Sequence, residues 1–396
     1  MKFVEIFNKV PIRMSSNIDL VLIATLMASE GFPVPSFVAS SKEYYNDKNL
    51  LSAIKDLTSP IHKRTRLMHA CKIGDIKRAK MLINAKANVN AVSTEDSLTP
   101  LILAVKKGNI EIVTLLLEAG ANPNLPVPDI NYPLTLSILS GKIELVKLLV
   151  LWGAHVDAMN VRGIRPLMIA CDFGLTHIAE FLIDSGADVN AVSFIDECTP
   201  LYYACRNGKY ELVSLLLERG ALVDKVVKNN VTPLMYAAAE NHIEVCEILI
   251  EYGANVNALE KDGCTPLMMA CESGNTAIVE LLIHSGADLE KRQNNFEGMT
   301  ALLYACDRQY FDAAIILINA GANVNIATLN NGTTPLMWAA VHGIMELVCC
   351  LVEKGANIRA SHTLTNWTAL SYADARGHAD ISMYLRDLMN ESPNKN

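Results

Sequence analysis

Ten cysteines and nine histidines are the residues of this 396-residue chain best suited to chemistry, and their spacing argues against it. No Cys-x-x-Cys pair occurs. Cys71, Cys171, Cys205, Cys271 and Cys306 each directly follow an alanine, and the nearest of these, Cys171–Cys205 and Cys271–Cys306, lie 34 and 35 residues apart. Cysteines in that setting read as small apolar fillers rather than metal ligands or disulfide partners. Unpaired thiols on this scale fit a reducing compartment. His242, His342 and His378 each fall next to a turn and read as structural. Glu95 and Asp96 fall on a predicted loop tip, where carboxylates are expected to be solvated and ordinary. No phosphate-cradling glycine loop, His-Glu-x-x-His or Gly-x-Ser-x-Gly is present. The expectation is a chain that is not an enzyme, with no catalytic residue, cofactor or metal.

Composition narrows the class further. Hydrophobic residues make up 51% and charged residues 19%, which excludes a mostly disordered chain. The net charge of −8 argues against a nucleic-acid binder, because neutralising phosphates needs a basic face. The one tight basic cluster, His62-Lys63-Arg64-Thr65-Arg66, reads as a solvated junction. The apolar stretch Leu20 to Ala28 is far short of the roughly 20 residues that span a bilayer. Lys9 and Arg13 precede it, as in a signal peptide, but Glu5 and Asp19 interrupt the pattern. A cytoplasmic protein is expected.

The elements that would position any site come from one recurring block. Thr99-Pro100-Leu101 returns at Thr199, Thr232, Thr265 and Thr334, with weaker copies at Thr65, Tyr132, Arg165, Thr300 and Thr368. Successive starts are 33 to 35 residues apart. A second marker keeps the same beat: Gly120, Gly153, Gly186, Gly220, Gly253, Gly286, Gly321 and Gly355. Thr before Pro predicts a helix start, with the hydroxyl as N-cap and Pro in the first turn. A short helix then ends near a glycine, as at Gly274. A second helix follows, with Ile110, Val113, Leu116 and Leu117 on its apolar side in one copy, and Val245, Ile248 and Leu249 in another. The marker glycine suits a left-handed residue after that helix. A turn such as Lys261-Asp262-Gly263 predicts a β-hairpin tip.

This pattern resembles the ankyrin repeat, whose period is about 33 residues with Thr-Pro-Leu-His-x-Ala opening the first helix. The resemblance covers residues 63 to 390. It implies an all-α ankyrin-repeat solenoid of about ten helix-turn-helix repeats with β-hairpin loops. The domain reading is a helical N-terminal cap over 1–62, including one eroded repeat at Pro35–Ala39, and a repeat array over 63–396 with a C-terminal capping repeat. Departures from the family pattern carry expectations of their own. The family histidine is replaced by Met68, Met168, Met235, Met268, Met337 and other residues, so its hydrogen bonds should give way to apolar packing. Lys86 takes the place of a marker glycine and should be strained. Pro123, Pro126, Pro128 and Pro133 should make the second junction irregular. Asp380, Ser382, Arg386 and Asp387 read as the solvent-facing side of the last helix.

Such arrays bind proteins through hairpin tips and the exposed ends of first helices. The resemblance therefore implies a scaffold or adaptor, monomeric on its own, whose partners are other proteins rather than nucleic acid, membrane or a small-molecule substrate. The candidate partner-binding residues are Phe173, Phe194, Arg206, Phe296, Arg308 and Trp367, the residue types that most often anchor interfaces. Two alternatives stand beside this one. The first is a regulatory or targeting subunit of an enzyme such as a kinase or phosphatase. The second is a membrane-associated or secreted effector using the N-terminal apolar segment. Asn190, Asn257 and Asn325 are candidate hydroxylation sites by the same resemblance.

Overall fold

A computed structural model of the chain describes residues 58–59, 64–125, 132–195 and 197–391. The expected cap over 1–62 lies outside the described residues except for Thr58–Ser59, as do Pro126 and Pro128 of the proline-rich junction. The chain divides into two compact units, residues 1–155 and 156–396.

Among the described residues of unit 1, the first element is β1 (Thr58–Ser59), paired antiparallel to β2 (Arg64–Thr65). Three helix pairs follow: α1 (Arg66–Ile73) with α2 (Ile76–Asn84), α3 (Pro100–Lys107) with α4 (Ile110–Glu118), and α5 (Pro133–Leu139) with α6 (Ile143–Leu151). Unit 2 holds seven more. They are α7 (Pro166–Asp172) and α8 (Thr176–Asp184), α9 (Pro200–Arg206) and α10 (Tyr210–Glu218), α11 (Pro233–Ala239) and α12 (Ile243–Glu251), α13 (Pro266–Ser273) and α14 (Thr276–His284). The last three are α15 (Ala301–Asp307) and α16 (Phe311–Asn319), α17 (Pro335–His342) and α18 (Met345–Glu353), α19 (Ala369–Arg376) and α20 (Ala379–Glu391). Within each unit, first helices pack on neighbouring first helices and second on second.

The caps form as the sequence predicts. Thr99, Thr199, Thr265 and Thr334 each accept the amide of the residue three positions on, at 3.2 to 3.4 Å. Tyr132 and Arg165 occupy the same place without a side-chain cap. The missing histidine is made good differently from expectation. The thioether sulfurs of Met68, Met168 and Met235 accept the cap residue's own amide at 3.3 to 3.4 Å, so these methionines carry a polar contact as well as packing. Lys86 does adopt a left-handed backbone, at φ 62°, in the marker-glycine position. For a residue with a Cβ that conformation costs about 1–2 kcal/mol.

Three expectations are corrected. In α4 the buried face is Ile112, Val113, Leu116 and Leu117; Ile110 is the first helical residue and points to solvent. In α20, Ser382 is only 4% exposed, because it lies one position after Ile381 on the face that packs inward; Asp380, Arg386 and Asp387 are exposed as predicted. The hairpins shrink to closed loops. Most are joined by one backbone bond, such as Ser193 N to Cys198 O at 3.0 Å, Glu260 N to Cys264 O at 3.0 Å and Thr328 N to Thr333 O at 3.0 Å.

Candidate protein-interaction surface

The loop tips of unit 2 are tied to one another through the backbone. Phe194 N donates to Arg162 O, Lys261 N to Asn229 O, Asn294 N to Asp262 O, Leu329 N to Glu297 O and Thr363 N to Asn331 O, at 2.8 to 3.2 Å. Below the tips a second ladder joins each loop to the next repeat. Asn257 donates through its side-chain nitrogen to Gly286 O at 3.1 Å and accepts Asp288 N at 2.7 Å. Asn190 bridges to Gly220 and Leu222, and Asn325 to Gly355 and Asn357, in the same way. Asp157, Asp224 and Glu290 fill this place in other repeats, where a carboxylate can only accept. Rigid ties of this kind fix the tips in register, and three consecutive tips then present large apolar side chains to solvent: Phe296 at 80%, Leu329 at 65% and Leu364 at 78% exposure.

The short first helices place a second feature on their half-buried face. Four residues after the cap stand Tyr203, Tyr236, Met269, Tyr304, Trp338 and Tyr372, one in each repeat of unit 2 after the first, which has Ile169 there. Tyr203 is buried and the others are half-buried. Tyr202 meets Tyr236 edge to face at 4.7 Å between ring centres, and Trp367 meets Tyr372 at 5.1 Å. The Tyr304 hydroxyl donates to Gln293 Oε1 at 2.8 Å. Burial, with the nearby Cys264 and Glu272, pushes its phenol up. Burial likewise raises the Glu260 carboxyl, helped by the negative charge of Asp262 and Glu272.

Repeated helix pairs, capped by Thr-Pro and ended by left-handed glycines, match a family model described as ankyrin repeats (3 copies) over residues 37–127, 134–227, 167–259, 220–293, 255–328, 289–362 and 326–396. The chain belongs to the ankyrin repeat family. Ankyrin repeats are generally protein-interaction modules. An ankyrin repeat and KH domain-containing protein of Caenorhabditis briggsae is 31% identical over 225 residues, which is 53% of this chain and 8% of that protein. The human palmitoyltransferase ZDHHC13 is 36% identical over 179 residues, 45% of this chain and 29% of the enzyme. A probable E3 ubiquitin-protein ligase, XBOS33, of Oryza sativa subsp. japonica is 31% identical over 153 residues, 38% of this chain and 23% of the ligase. This ankyrin chain thus aligns with less than a third of the length of each of these relatives.

The candidate partner-binding residues of this ankyrin chain divide into two kinds. Phe173, Phe194 and Phe296 are exposed on helix ends and tips, as a docking anchor must be. Arg206 and Arg308 are engaged within the array. Arg206 Nη2 donates to Asp172 at 2.7 Å, and its guanidinium lies 5.6 Å from the Tyr202 ring centre and 5.4 Å from that of Tyr203. Arg308 pairs with Glu272 at 2.6 Å. Trp367 is partly covered by Tyr372 and is 42% exposed. The column of rings four residues after the cap was not anticipated. Its signal was an aromatic at the repeat period, hidden because Tyr, Trp and Met alternate there.

Two of the three turn histidines tie neighbouring repeats, as expected: His242 Nε2 pairs with Arg206 O and His378 Nε2 with Val341 O, both at 3.1 Å, while His342 makes a tilted ring contact with Phe311. Asp96 departs from the ordinary carboxylate expected of it. Burial works to raise it, but the Ser93 hydroxyl, Arg64 and the Leu98 amide outweigh burial and hold it below the usual range. Among the described residues no group of three or more His, Cys, Asp or Glu is arranged to hold a metal ion.

Proposed function

We propose that this ankyrin array is a non-catalytic scaffold or adaptor that binds partner proteins through the loop tips and inner helix face of unit 2. The observation that carries this reading is the run of exposed Phe296, Leu329 and Leu364 on tips that their backbone bonds hold in register. Tips whose backbone is already tied need less ordering on docking, which favours the use of their large side chains as anchors. Phe173 and Phe194 extend the surface toward the start of unit 2. The buried thiols of this chain suit a reducing compartment such as the cytoplasm.

The test uses full-length protein. A partner captured by affinity purification is identified, purified and titrated against wild type and the triple variant Phe296→Ser, Leu329→Ser, Leu364→Ser. Anchor residues typically contribute about 2 kcal/mol or more each, so affinity should fall at least a hundredfold. The urea midpoint should stay put, because these side chains are exposed. Unchanged affinity would remove the tip surface from the reading.

A further inference from the structure

Arg206 shows what the half-buried face of the first helices of unit 2 is built to receive. Its guanidinium lies over Tyr203 and against the Asp172 carboxylate. The three groups sit in fixed register: the ring four residues after a cap, the carboxylate seven after the preceding cap, the cation seven after its own. The same register recurs twice further on with the cation missing. At Tyr304 the preceding carboxylate is Glu272 and position seven is Asp307. At Trp338 the preceding carboxylate is Asp307 and position seven is Val341. Both rings are half-buried. Arg308, one residue out of register, touches both carboxylates, Glu272 at 2.6 Å and Asp307 at 3.9 Å.

We infer that the Tyr304/Glu272 and Trp338/Asp307 positions receive two arginine side chains from an extended basic segment of a partner protein. This rests on the protein-interaction reading above and names the chemistry of the partner. Charge favours it: residues 156–396 hold 16 Lys and Arg against 29 Asp and Glu, a net of −13. A guanidinium suits the site better than an ammonium, because it can stack on a ring and hydrogen-bond a carboxylate together. Packed helices are about 8–10 Å apart and an extended chain rises about 3.3 Å per residue, so the arginines stand three residues apart, as Arg-x-x-Arg. Arg308 is an internal competitor for the same carboxylates.

The experiment titrates full-length protein with a fluorescein-labelled peptide of four Arg-Gly-Ser triplets. Comparison peptides carry Lys or Glu in place of Arg, or the same residues with the arginines contiguous. The triplet peptide should bind most tightly, with Lys about threefold weaker and Glu not binding. Asp307→Asn should weaken the triplet peptide about threefold, and Arg308→Ala should tighten it about threefold, since a competitor is removed. A purely structural Arg308 predicts the opposite sign or no change. Equal binding of the contiguous peptide, indifference to Asp307→Asn, or unchanged or weaker binding by Arg308→Ala each overturns the inference. None of these outcomes bears on the tip variant, whose failure alone strikes the interaction reading.

Discussion

The asparagines between repeats show how one atom changes a joint. An Asn amide at Asn90, Asn124, Asn190, Asn257 or Asn325 both donates to a carbonyl and accepts an amide of the next repeat. Asp157 stands in the same place and accepts Asp188 N at 3.2 Å, but has no proton to give. Asp157→Asn should therefore add a bond to the following marker glycine. A partly exposed hydrogen bond is worth about 0.5 kcal/mol, so the urea midpoint should rise slightly at constant m. Asn257→Asp should lower it by a similar amount. If both shifts share one sign, the second bond contributes nothing. The same spent amides leave Asn190, Asn257 and Asn325 as structural ties first, whatever modifies them.

At the scale of the element, the short first helix is a mould for small side chains. Cys71, Cys171, Cys205, Cys271 and Cys306 sit in its most enclosed slot, and all five are buried. Burial pushes the Cys71 thiol up to about 12, and the others rise too. A thiol that cannot ionise is a poor nucleophile. Among the ten cysteines, Cys349 and Cys350 alone are half-exposed, on α18. Native protein treated with iodoacetamide at pH 8 should be modified at these two first, read by mass spectrometry, and at the other eight only with denaturant. Fast modification of Cys171 or Cys271 would show that the first helices open far more easily than their packing suggests. The turn after the helix is moulded as tightly. A Cβ on Gly343 would lie 2.5 Å from the His378 ring, while Gly355 has open space around it.

At the scale of the molecule, each repeat within a unit touches its neighbours in that unit and little else, so the stability of each unit is close to a sum of repeat and interface terms. Repeats with a partner on both sides should open last. Amide exchange is expected to be slowest in α11 and α13, following Thr232 and Thr265. It should be fastest around α1 and α2, where Lys86 is held at φ 62°, and near Tyr132, which caps α5 without a side-chain bond. Exchange that begins around Thr232 would contradict the additive picture. No helix among the described residues is long and apolar enough to cross a membrane.

Period, caps and marker glycines made the array legible from residues alone, because each depends on backbone chemistry that a single repeat expresses locally. The Thr N-caps, the left-handed Lys86 and the buried alanine-cysteine slot needed no knowledge of neighbours. What spans two repeats was out of reach. Arg206 looked like a free anchor until Asp172, 34 residues earlier, was found at 2.7 Å. Asp96 looked solvated until Arg64 closed on it. The rings at Tyr203, Tyr236, Tyr304 and Trp338 became a column only when stacking set their helices side by side. Local propensity specifies the unit; which side chains are spent between units and which remain for a partner depends on the distances that stacking imposes.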